Sequence, residues 1–240
     1  MSELLDKAGH ARYTMYCASS DICVVRGDAT DRSLVEFLVR SFGRPSLALL
    51  DPVYGRPVSI SYLRWLVEDV ADTVIYMCDD LNVARAITCL DTYFRHTLVG
   101  TVPITSLPTS GHLIHHTIIA VFQRKPVFYG ETYGDRSSVI SGFRLSGSGS
   151  YLAKASHVYA TLLRRYTRES EVCLDLFCGG MGLFAAECAR LRRRYCGVEI
   201  DAAKVRRLLS GLVARNLIPI NYKTQELEVD GGVCRAREGV

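Results

Sequence analysis

The chain has 240 residues, 48% of them hydrophobic and 22% charged, which supports a real core and excludes a disordered chain. Net charge is +4, a mildly basic balance that permits nucleic-acid binding without demanding it. No apolar run approaches the roughly 18 residues needed to cross a bilayer. The nine cysteines are scattered, with no CxxC pair; free thiols in a reducing compartment explain them better than disulfides or structural zinc.

The start, MSELLDKAGHARY, carries no apolar signal segment, so the expectation is an intracellular protein. A short strand is predicted over 21–27 (DICVVRG), then an amphipathic helix over 31–43 ended by Gly43. SLALLD (46–51) reads as a buried strand. Helical spacing of Leu63, Leu66, Val67 and Val70 predicts a helix over 61–72. TVIYMC (73–78) is a strand and LNVARAITCLDTYF (81–94) a helix; 96–102 and 115–123 are strands. Residues 124–150 lose periodicity and are rich in Gly, Ser and Tyr, the mark of irregular surface structure. A helix follows over 156–166, a strand over 171–177, a helix over 182–192, a strand over 194–201 and a helix over 202–216. At the end, ELEV is expected to add a strand before the chain frays. Alternation of this kind predicts one α/β domain over 1–240, built on a mostly parallel twisted sheet with helices on both faces.

EVCLDLFCGGMGLFAAECARLRRRYCGVEID (171–201) is the most informative segment. A buried strand ends at Asp175, glycines follow, a helix packs back, and a second strand ends at Glu199. Glycines let the backbone approach a ligand, and an acid about twenty residues later can bind both ribose hydroxyls. Asp175 would repel a pyrophosphate, so a cationic or amine-bearing ligand suits the place better than a dinucleotide. Upstream, LALLDPVYGRP (47–57) ends an apolar strand in an acid, a proline and an aromatic ring. An acceptor and a proline-held carbonyl can take hydrogen bonds from an amine, and a ring can stack on a base.

These motifs resemble the DNA amino-methyltransferases. Asp175-Leu176-Phe177-Cys178-Gly179-Gly180-Met181-Gly182 and Arg194-Tyr195-Cys196-Gly197-Val198-Glu199 are similar to their S-adenosylmethionine motif, D-P-F-x-G-S-G-T and then R-x-Y/F-x-G-x-E. Met181 stands where the second glycine of the turn usually falls. Asp51-Pro52-Val53-Tyr54 is similar to the catalytic D/N/S-P-P-Y/F/W, with Val53 in place of the second proline, and Gly27-Asp28 to the family's G-D segment. The catalytic motif precedes the cofactor motif, the circularly permuted order of the β group. The resemblance implies a Rossmann-like methyltransferase fold. It implies S-adenosyl-L-methionine as cofactor, held by Asp28, Asp175, Phe177, Cys178, Gly179, Gly180 and Glu199. It also implies catalysis by Asp51, Pro52 and Tyr54 on an exocyclic base amine, adenine N6 preferred over cytosine N4. The family's H-P-T-Q-K-P residues are absent before the cofactor strand.

The resemblance further implies double-stranded DNA as partner, its target base flipped out, and a homodimer. A short target-recognition insert is expected at about 124–156, with Arg124, Lys125, Arg136 and Arg144 as phosphate-pairing groups beside Phe128, Tyr129, Tyr133 and Phe143. Cytosine-C5 methylation needs a Pro-Cys nucleophile, and no cysteine follows a proline. His112, His115 and His116 lack a carboxylate at ligand spacing, so no metal is expected. Two other readings stay open: an inactive cofactor-binding module that binds nucleic acid or regulates a partner, and a methyltransferase of RNA or a small molecule.

Overall fold

The computed structural model describes residues 12–17, 21–52, 57–77, 80–101, 116–130, 139–140, 156–230 and 233–236. In chain order the strands are β1 (Arg12–Cys17), β2 (Ile22–Arg26), β3 (Leu47–Leu50), β4 (Thr73–Met77), β5 (Phe94–Thr101), β6 (His116–Gln123), β7 (Val139–Ile140), β8 (Val172–Asp175), β9 (Arg194–Glu199), β10 (Lys223–Asp230) and β11 (Val233–Ala236). The helices are α1 (Arg32–Phe42), α2 (Ile60–Trp65), α3 (Asp80–Cys89), α4 (Ser156–Tyr166), α5 (Leu183–Arg190) and α6 (Ala202–Ala214). A π-helical turn, Leu66–Val70, extends α2 and closes with the Ala71 N–H donating to the Leu66 carbonyl.

Among the described residues the strands form one sheet in the order β11-β10-β1-β2-β9-β8-β3-β4-β6-β5-β7. The five central strands, β2-β9-β8-β3-β4, are parallel, as expected. Both flanks turn antiparallel: β1, β10 and β11 on one side, and β6 and β5 on the other, where β7 then pairs parallel with β5. Three flanking strands, β1, β7 and β11, lie where no strand is predicted; Val233–Ala236 pair with β10 rather than fray. β8 and β9 come late in the chain yet insert between the early strands β2 and β3.

Strand side chains alternate between two cores. Cys23, Val25, Ala48, Leu50, Val74 and Tyr76 face one, completed by Leu34, Leu38, Leu63, Leu66 and Val83 from α1 to α3. Ile22, Val24, Leu47, Leu49, Ile75 and Met77 face the other, completed by Val158, Leu162, Phe184, Leu208 and Leu212 from α4 to α6. Both faces of the central strands are thus covered, which is why these strands read as continuous apolar runs. Asp31 caps α1 by accepting from the Ser33 N–H at 2.8 Å, and Asp201 caps α6 through Ala203 at 2.7 Å. No helix among the described residues is long and apolar enough to cross a membrane.

Candidate active site

Because the central strands are parallel, their C-terminal ends share one edge of the sheet. Leu49 pairs with Asp175, Asp175 with Gly197, and Arg26 with Glu199. The chain continues across that edge in register: Leu176 N–H donates to the Leu49 carbonyl, Cys178 N–H to Val198, and Gly27 N–H to Glu199, each at 3.0–3.1 Å. Asp51-Pro52, Asp28, the Asp175–Gly182 turn and Glu199 are therefore brought together, as topological rules for ligand sites require.

The glycine turn shows how Met181 is accommodated. Left-handed backbone falls on Gly179 (φ 59°) and Gly182 (φ 60°), while Met181 is absent from the positive-φ residues. The conformational demand sits on the two flanking positions, and Met181 projects to solvent, 37% exposed. A Cβ at Gly179 would meet nothing within 4 Å, so the backbone there faces open space in which a ligand can lie against it. Gly180, by contrast, packs on Lys204 and Arg207 of α6, and serves that contact.

Three carboxylates, Asp175, Asp51 and Glu199, converge. Asp175 is buried, and desolvation pushes its carboxyl up to about 8, with the Asp51 charge the next cause. The Phe177 N–H and the Tyr195 hydroxyl pull the other way; the Glu199 charge adds to the rise. Glu199 accepts from the Gly179 N–H at 3.0 Å and the Asp201 N–H at 2.9 Å, one on each oxygen. Each oxygen keeps a second lone pair for a ligand hydroxyl. Asp28 turns one oxygen onto Thr30, accepting from its N–H and its hydroxyl at 2.9 and 2.7 Å. Burial and the neighbouring acids raise the Cys178 thiol well above its ordinary value, so it stays protonated and is no nucleophile.

A cleft of about 450 Å³ opens beside Phe177, between the N-terminal ends of α1 and α2, with walls from Thr30, Arg32, Val58, Ser59 and Tyr62. Tyr62 donates to the Ala29 carbonyl and so ties α2 to the turn after β2; the Arg32 guanidinium lies 4.9 Å over the Trp65 ring. None of these wall residues stands out in the sequence. Ile200, immediately after Glu199, is a large apolar side chain left 42% exposed at a strand end.

The expected nucleic-acid residues fare differently. β6 runs antiparallel, with Gln123 opposite Thr73 at the start of β4, so Arg124 and Lys125 lie at the edge opposite Asp51. There Arg124 donates to the Glu68 carbonyl at 3.2 Å. Phe128 packs edge-on against Tyr166, and the Arg168 guanidinium covers the Tyr129 ring at 4.3 Å, so the two rings anchor this segment to α4 and to the turn after it. Tyr54, Arg136 and Arg144 lie outside the described residues, as do Val53 and 131–138 and 141–155 of the expected insert. Of the arginine cluster 190–194, Arg193 donates to the Thr167 carbonyl at 2.9 Å and Arg194 to Phe42 at 2.9 Å, structural duties both. Among the described residues no group of three or more His, Cys, Asp or Glu could hold a metal ion.

The same architecture occurs in solved structures of DNA methyltransferases. M1.HpyAVI superimposes with a TM-score of 0.62 at 12% identity, over 79% of this chain and 97% of that one. The M1.HpyAVI–SAM complex gives 0.61 at 11% identity over 78% and 98%. The chain has a methyltransferase fold. PvuII DNA methyltransferase, which is cytosine-N4-specific, superimposes at 0.56 with 13% identity over 84% and 93%. No protein-family model matches the chain, and no curated protein does. At this distance the likeness speaks for the Rossmann-like α/β methyltransferase architecture alone.

Proposed function

We propose that the chain is an S-adenosylmethionine-dependent DNA amino-methyltransferase that methylates an exocyclic base amine, adenine N6 in preference to cytosine N4. One observation carries the reading: two motifs far apart in sequence, Asp51-Pro52 and Asp175 to Glu199, become neighbours on one sheet edge. That the catalytic segment comes first in the chain is read as the permuted order of the β group. The M1.HpyAVI–SAM complex, a structure with this fold, supports the cofactor assignment.

The residues present fit that cofactor. Glu199 accepts from the Gly179 N–H, and Asp51 and Glu199 both act on Asp175, a set of acids that suits a sulfonium and an ammonium group better than a phosphate. When bound, S-adenosylmethionine supplies an electrophilic methyl group. Asp175, Phe177, Cys178 and Gly179 would hold its charged end, and Glu199 and Asp28 its ribose and adenosyl end. Asp51 then accepts a hydrogen bond from the target amine, and the carbonyl of buried Pro52 accepts a second. These acceptors draw the nitrogen lone pair out of conjugation as the amine becomes tetrahedral. Tyr54 is the ring assigned to stack on the flipped base. Asp51 is the ground for putting adenine first; the cytosine-N4-specific PvuII enzyme, with the same fold, is the ground for keeping cytosine N4 second.

The test is methyl transfer from labelled cofactor to double-stranded DNA, single-stranded DNA and RNA, with digested products identified and Asp51→Ala run alongside. Label on N6-methyladenine or N4-methylcytosine, lost in Asp51→Ala, is the expected result. Cofactor binding without transfer to any substrate would favour the inactive module instead, and no cofactor binding would end both readings.

A further inference from the structure

We infer that Tyr195 is a positioning residue for Asp175, its hydroxyl fixing the carboxylate that faces the positive charge of the cofactor. The inference rests on the cofactor reading above and adds a residue to it. Tyr195 lies in β9 and is 1% exposed. A buried phenol needs a hydrogen-bond partner, and a phenylalanine would fill the same space without that demand. The ring does not stand up from the sheet. It lies along its own strand across Gly197, where a Cβ would come within 2.2 Å of the Tyr195 oxygen, 2.7 Å of Cζ and 2.9 Å of Cε1. Gly197 is thus the gap through which the side chain passes, and Gly197 is the register partner of Asp175. At the end of that path the hydroxyl donates to Asp175 Oδ2 at 3.3 Å. Phe184 of α5 meets the ring at 6.1 Å and 67° and holds it there.

The surroundings give this one bond its weight. Asp175 is faced by Asp51 from the end of β3, by Glu199 from β9, by the Cys178 thiol from the turn and by Cys188 from α5. The charges among them are all acidic. The donors that favour its ionised form are the Phe177 N–H, fixed by the backbone, and the Tyr195 hydroxyl. The Cys178 thiol is within hydrogen-bonding range of the same hydroxyl and links it to the glycine turn. Removing the hydroxyl leaves Asp175 harder to ionise, while the ring, the strand and the turn keep their places.

Tyr195→Phe tests this, with S-adenosylmethionine affinity measured by calorimetry for both proteins from pH 6 to pH 9. Comparing the proteins at equal pH cancels the titration of the ligand itself. Losing one hydrogen bond to a charged group raises the Asp175 midpoint by about one pH unit. The variant then binds about tenfold more weakly at pH 6 to 7, and the gap closes to about twofold at pH 9. Equal affinity throughout, or a loss that is the same at every pH, overturns the inference and marks Tyr195 as a packing residue. Thermal unfolding of the cofactor-free proteins across the same range separates this outcome from failure of the functional reading. If the wild type binds no S-adenosylmethionine, an upward shift of the Asp175-linked limb in Tyr195→Phe still upholds the contact, and an unshifted limb overturns it.

Discussion

Gly197→Ala adds one methyl group to a buried strand, a change that ordinarily stabilises by about 0.5–1 kcal/mol because glycine loses more freedom on folding. Here the sign reverses. The new Cβ would sit 2.2 Å from the Tyr195 oxygen, about 1.2 Å short of the 3.4 Å where ordinary contact begins, and two ring carbons are also inside 3.0 Å. The ring cannot swing to solvent, since Tyr195 is 1% exposed and Phe184 closes its other side. Overpacking of this kind costs about 1–3 kcal/mol, and three atoms in conflict put it at about 3. For a domain of this size that lowers Tm by roughly 6–12 °C. Urea unfolding followed by circular dichroism, with m compared to confirm the two-state assumption, is the assay. Gly179→Ala is the control: its Cβ meets nothing within 4 Å, so only the left-handed φ of 59° is strained, at about 1 kcal/mol. If Gly197→Ala matches or exceeds wild-type stability, the Tyr195 ring does not cross residue 197 and its reach to Asp175 fails with it.

Asp175 titrates near 8 when folded and near 3.8 when unfolded, so its protonated form stabilises the cofactor-free protein. That contribution is complete below pH 3.8 and is lost as pH rises through about 8, which Asp175→Asn removes from the pH dependence of Tm. Asp51→Ala abolishes methyl transfer yet strengthens cofactor binding at neutral pH, because the Asp51 charge is the second-largest cause of the Asp175 rise; isothermal titration at pH 7 measures it. Glu199→Gln presents an N–H where two backbone donors, Gly179 and Asp201, now find acceptors. One buried donor is left facing another, and urea unfolding shows a loss of about 1–3 kcal/mol.

The central strands were legible because each is a short apolar run buried on both faces, and Asp51, Asp175 and Glu199 because each ends such a run. β1 carries a two-residue period, with Tyr13 and Met15 buried, but over only six residues. Leu90 and Phe94 keep helical spacing after α3 has ended at Cys89. Phe94 instead starts β5 and meets Phe122 across the sheet, ring centroids 6.1 Å apart. Arg124 and Lys125 show the limit of linear reading: nothing in a strand's own residues says which way it runs, and the antiparallel β6 carries them to the far edge. The course of Tyr195 along β9 is equally hidden, since alternation assumes side chains that stand up from the sheet; an aromatic two places before a strand glycine was its one trace.

The insertion of β8 and β9 between β2 and β3 has a temporal meaning. A growing chain holds Asp51 at the end of β3 long before its neighbour on that side exists, and β2 and β3 cannot become part of one sheet until β8 and β9 arrive. Such long-range pairing is slow to close. The acids that act on one another therefore meet only after residues 172–199 have been made, so a ligand that needs all of them binds no chain that stops short of β9. Ligand binding is then a signal that the two halves of the polypeptide have interleaved.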